Sequence, residues 1–126
     1  VYGVFDPVGY GADGKYGNEW DMTIWISDRG IESGRLKDIL IHEAAHAYSY
    51  LVLRGCVVPD GSSFRELAHK RYGDEEHLAD VFVLYYGGKW TNYDGRENIP
   101  VRDRSWMSNM IDYCNLYEEA LATLSS

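Results

Sequence analysis

At 126 residues, with 45% hydrophobic and 25% charged residues, the chain has the make-up of one globular domain with a real core. Its net charge of −8 argues against a nucleic-acid binder, because reading phosphates needs a basic face. No apolar run approaches the roughly 20 residues that would span a bilayer.

The chain starts at Val1, so a leader or preceding domain is expected to have been removed, and any targeting signal lies beyond reach. The glycine-rich opening "VYGVFDPVGYGADGKYGNEW" predicts a short strand followed by irregular loop. "DMTIWISD" (21–28) alternates Met22, Ile24 and Ile26 against Thr23, Trp25 and Ser27, a period-2 strand with both faces partly apolar. A long helix is expected from about Gly34 to Arg54, with Ser33 as N-cap and Gly55 just past its end. "DGSSFRELAHKRYG" (60–73) predicts a short amphipathic helix capped by Ser62 or Ser63 and stopped by Gly73. "DEEHLADVFVLYYGG" (74–88) predicts another, with Asp74 as cap and a glycine pair at its end. A loop over about 87–102 precedes a last helix, roughly 104–124, capped by Asp103. Strands come first and helices after. That order predicts an α+β fold: a small N-terminal β-sheet, the helix over 34–54 and three further helices, in a single domain over 1–126.

"ILIHEAAHAY" (39–48) sets His42, Glu43 and His46 into an otherwise apolar run. Burying one neutral polar group without a partner costs on the order of 2–7 kcal/mol, so something must satisfy these three. His42 and His46 stand four apart and project from one helix face. That spacing lets both imidazoles reach one zinc ion, while Glu43 is offset to hold a water at the metal and take its proton. A chain of this length contains H-E-x-x-H by chance on the order of once in a few hundred cases. Two satisfied core histidines and a surface glutamate are therefore the poorer reading.

A catalytic zinc wants a third protein ligand and an open position. Ser49 and Val52 stand where the metzincin pattern would have its Gly and third His, which excludes that class. On the later helix "EHLAD" (76–80) puts Glu76 and Asp80 four apart on one face. Together, His42, Glu43, His46, Glu76 and Asp80 resemble the gluzincin metallopeptidases, H-E-x-x-H followed on a later helix by E-x-x-x-D. The resemblance spans residues 42–80. It implies that Glu76 is the third zinc ligand, and that Asp80 accepts a hydrogen bond from a ligating imidazole and so fixes its tautomer. Glu75, His77 and His69 compete for the third position. Glu75 faces Ala79 and is expected to have no partner on its own face; His77 lies about 100° around the helix from Glu76; His69 sits among charged residues in a setting that reads as solvated. The plain alternative for "DEE" is a solvated acidic first turn favouring the helix dipole.

The chain is far too short for a two-lobed gluzincin, so the resemblance implies a compact zincin-like domain. It implies a zinc-dependent peptidase in which Glu43 is the general base and a peptide substrate adds along strand 21–28. Two other readings stand beside it: a zinc-binding module without turnover, and a zinc hydrolase of a non-peptide amide such as a cell-wall cross-link. Eleven tyrosines and four tryptophans would suit carbohydrate stacking, but aromatics at helical spacing usually belong to a core. Cys56 and Cys114 are either small buried hydrophobes of a cytoplasmic protein or a disulfide in a secreted one.

Overall fold

The computed structural model of the chain describes residues 3–6, 23–89, 91 and 99–125. Two short strands, β1 (Gly3–Asp6) and β2 (Thr23–Ile26), pair antiparallel with Gly3 opposite Ile26 and Asp6 opposite Thr23. Five helices follow: α1 (Asp28–Glu32), α2 (Leu36–Leu51), α3 (Phe64–Tyr72), α4 (Glu75–Tyr85) and α5 (Val101–Ser125), with a 3-10 turn at Leu53–Gly55. The expected α+β fold with an N-terminal β-sheet is therefore corrected. The described residues are mostly helical, and the strands amount to a single two-stranded ribbon.

The physical reason lies partly at Ser27. The alternating pattern over 21–28 stops being a strand because the Ser27 hydroxyl accepts from the Gly30 amide and starts α1. Ser33, expected to cap α2, instead closes α1 by donating to the Gly30 carbonyl, while its oxygen accepts from the Arg35 amide. Asp103 is likewise inside α5 rather than its cap. It is buried and takes the Arg71 guanidinium at 2.8 Å, which ties α5 to α3. Half of the loop expected over 87–102 lies outside the described residues, as does most of the N-terminal glycine-rich stretch, and Val101 and Arg102 at the expected end of the loop belong to α5.

The other caps follow the sequence. Ser63 accepts from the Glu66 amide, Gly73 ends α3 at a φ of 114°, and Asp74 accepts from the His77 amide. The turn between α3 and α4 is thus only two residues long. A side chain would strain Gly73 there, since positive φ is costly for any residue with a Cβ.

α4 is the central helix. Every residue from Leu78 to Leu84 is buried, and it packs against both α2 and α3. Ala45 of α2 and Ala79 of α4 both lie in the main core cluster. Small side chains at such a crossing let two helix backbones approach closely. The far end of the pair is pinned as well. Gly88 donates to the Val83 carbonyl at 2.8 Å, and the Lys89 amide donates to Asp38 at the start of α2. A Cβ on Gly88 would stand 2.6 Å from Val83 Cγ1 and 2.9 Å from the Val83 carbonyl oxygen, which is backbone and has no room to give, so a side chain here would force the junction apart.

Cys56 and Cys114 form a disulfide with a Cα–Cα distance of 5.6 Å, which joins the exit of α2 to the middle of α5. Among the described residues no helix is long and apolar enough to cross a membrane.

Candidate metal centre

α2 and α4 cross so that the polar residues of one face those of the other. His42 and His46 project from α2 one turn apart. Their Nε2 atoms approach each other to 3.1 Å. Glu76, in the first turn of α4, reaches both: Oε2 lies 3.1 Å from His42 Nε2 and Oε1 lies 3.0 Å from His46 Nε2. Among the described residues these three form the one group of metal-type donors within reach of a common ion.

The outer nitrogens decide the chemistry of the inner ones. His42 Nδ1 lies 2.8 Å from Asp80 Oδ1, and His46 Nδ1 lies 2.7 Å from Glu75 Oε2. An ionised carboxylate can only accept, so each Nδ1 donates. In the neutral imidazoles both Nε2 atoms then present lone pairs, pointed at each other and at the Glu76 carboxylate. Such a cluster of acceptors calls for a cation. Each imidazole meets a different Glu76 oxygen, and with one ligand atom taken from each residue the three lie within 4.8 Å of one another, a span that one ion with bonds of about 2.0–2.1 Å could bridge. Two imidazoles and one carboxylate would supply three ligands to a zinc ion and would leave a position for a water or substrate. The donor set therefore fits zinc.

Burial separates the two sides of the site. Asp80 is 0% exposed, and Glu43 is 5% exposed. The Glu76 side chain is 42% exposed, so solvent and ligands reach the cluster from that side. Burial works to lower the pKa of His42, but the hydrogen bond it donates to Asp80 and the charges of Asp80, Glu43 and Glu76 outweigh it and raise the pKa above 6.5. The field that holds a proton on His42 is the field that would hold a metal.

The structure brings His42, His46, Glu76 and Asp80 together. Glu43 follows His42 directly and its charge is felt there. The competing third ligands go elsewhere. His77 Nδ1 pairs with Asp74 at 2.8 Å, at the helix cap. His69 is not a solvated bystander: its Nε2 lies 2.7 Å from Glu75 Oε1.

Glu75 is the residue that sequence reasoning missed. Besides His46, it accepts from Ser49 Oγ at 2.7 Å and from Arg65 Nε at 3.3 Å. Burial would raise its pKa, yet the hydrogen bonds from His46, Ser49 and His69 hold it down to about 2. The expected solvated acidic turn is thus replaced by a half-buried anchor between α2 and α3. A usable signal existed in Arg65 and His69, two nitrogen-bearing side chains four apart on one face of α3. Its partner lies on another helix, so a search along α4 could not find it.

These shifts predict how the metal-free chain responds to pH. Glu75, lowered from 4.5, contributes stability that is present above that value and is lost as pH falls toward 2. His42, raised from 6.5, contributes stability that is fully present below 6.5 and is lost as pH rises through its raised value. Chelator-treated protein should therefore melt at progressively lower temperature on both sides of that window. Added zinc should remove the alkaline loss, because the metal replaces the proton. Thermal melts across pH with and without zinc check this, and a metal-free melting temperature that rises steadily with pH through 6.5 would contradict it.

Comparison of the chain with known protein families, with characterised proteins and with solved structures finds no match.

Proposed function

We propose that the chain is a zinc-dependent peptidase whose ligand set resembles a minimal gluzincin, with His42, His46 and Glu76 holding the metal. The observation that carries this reading is the meeting of two imidazole Nε2 lone pairs and a carboxylate within 3.1 Å, each imidazole backed by its own carboxylate. A structural zinc site fills all four positions with protein ligands, whereas three ligands with one solvent-facing side suit catalysis.

Bound zinc supplies Lewis acidity toward a carbonyl oxygen and lowers the pKa of water toward about 7. The chain's own residues do the rest. Asp80 and Glu75 keep both imidazoles in the Nδ1–H tautomer, which turns both Nε2 atoms toward Glu76 as the nitrogens that would bind the metal. Glu43, buried beside His42, takes a proton from the attacking water at its carboxylate and passes it to the leaving amine. A peptide would add along the edge of β2 (Thr23–Ile26) that does not pair with β1. The disulfide suits an oxidising compartment, so we place the activity in a secreted protein.

The test is direct. The purified chain should take up one zinc ion and cleave members of an unbiased peptide mixture, read by mass spectrometry. A chelator should stop the cleavage and zinc should restore it. Failure to take up zinc on titration overturns the metal centre. Zinc uptake with no cleavage of any peptide supports a binding module instead, which Glu43 argues against because such a module needs no base. Cleavage confined to cell-wall cross-links would move the substrate to non-peptide amides.

A further inference from the structure

We infer that Glu75 is a positioning residue for His46, and that α3 sets its place through Arg65 and His69. This inference rests on the zinc reading of the same site. His42 and His46 are held by different means. Asp80, which is fully buried, holds His42 from within α4. Glu75 holds His46 with one oxygen, 2.7 Å from Nδ1, and gives its other oxygen to Ser49, Arg65 and His69.

The arrangement is directional. Ser49 Oγ donates to Glu75 and accepts from Arg65 Nε at 3.1 Å. His69 lies one helical turn beyond Arg65 on α3, and both reach the same carboxylate oxygen. One oxygen is thereby saturated by donors from α2 and α3. The other is left to His46. A carboxylate held on one side in this way cannot rotate without breaking three hydrogen bonds, so it fixes the plane of the imbedded imidazole as well as its tautomer. Helix α3, which supplies no metal ligand, thus becomes part of what aims one.

The test compares Glu75→Ala, Glu75→Gln and His69→Ala with the native chain in zinc affinity, by competition against a chelating dye. A second reading is the imidazole N–H proton spectrum of the zinc-loaded proteins. The native chain should show two strongly downfield, slowly exchanging Nδ1–H signals, one for each carboxylate-bonded histidine. Glu75→Ala should bind zinc roughly 10–100-fold more weakly and lose the His46 signal while keeping that of His42. Glu75→Gln, which keeps an oxygen acceptor, should recover most of the affinity with an upfield-shifted signal. His69→Ala should shift the His46 signal alone, with a smaller loss of affinity.

A purely structural Glu75 would lower the melting temperature of the variants without moving the His46 signal or the affinity, and that result overturns the assignment. So does an unchanged His46 signal in folded Glu75→Ala. If Glu75→Ala fails to fold, His69→Ala decides the matter: an unmoved His46 signal there overturns the inference. Failure of the zinc reading itself is separately visible, because the native chain would then take up no zinc at all.

Discussion

Glu43→Gln should keep its zinc and its fold while losing turnover by roughly 10²–10⁴-fold. The substitution replaces one carboxylate oxygen with an amide of nearly equal size, so the buried pocket around residue 43 keeps its packing. The amide cannot take a proton from water near neutral pH, and proton transfer is the one task that the resemblance gives this residue. Glu43 is not among the three donors that meet between α2 and α4, so metal content should stay at one per chain. Steady-state turnover on a cleaved peptide, measured beside metal analysis of the same preparation, separates the two effects. Turnover equal to that of the native chain would remove Glu43 from the mechanism. Loss of zinc together with turnover would make its role one of holding the metal.

Glu76→Ala should have the largest effect on metal binding. It removes one of three protein donors, and the two imidazoles that remain hold zinc poorly at neutral pH. The loss should exceed the 10–100-fold expected for Asp80→Ala, which leaves all three donors in place and only frees the His42 ring. The Glu76 side chain is 42% exposed, so its removal should cost the metal-free fold little. This gives a clean reading in melting experiments. At zinc concentrations 100 times the dissociation constant the native chain gains about 2.7 kcal/mol from the metal, and Glu76→Ala should gain almost nothing at the same concentration. If Glu75→Ala or His77→Ala strips the metal while Glu76→Ala keeps it, the ligand set is a different one.

The parts of this site that could be read from sequence are those governed by helical spacing within a single element. His42 and His46, or Glu76 and Asp80, need only the 3.6-residue period to be placed on common faces. The caps at Ser63 and Asp74 were equally legible, because they depend on a side chain and an amide two or three residues away. Glu75 was not legible, since its partners come from α2 and α3 and a sequence carries no direct record of which helix faces which. Asp103 misled for a related reason. Its residue type suits a cap, but the long-range ion pair with Arg71 claims it instead. The sheet failed at Ser27, where a local hydrogen bond to Gly30 N competes with strand continuation and wins.

The disulfide has a practical corollary for anyone handling this chain. Cys56 and Cys114 bracket α3, α4 and the start of α5, so a single backbone cut anywhere between them leaves both fragments covalently joined. A preparation nicked there, whether by a contaminant or by its own activity, would migrate as one intact band on a gel run without reductant. The same sample would fall into two bands once thiol is added. Where the cut falls between Cys56 and Glu75, it sets Glu75, Glu76 and Asp80 on one fragment and His42 and His46 on the other, so the halves of the metal centre would part only in the reduced lane.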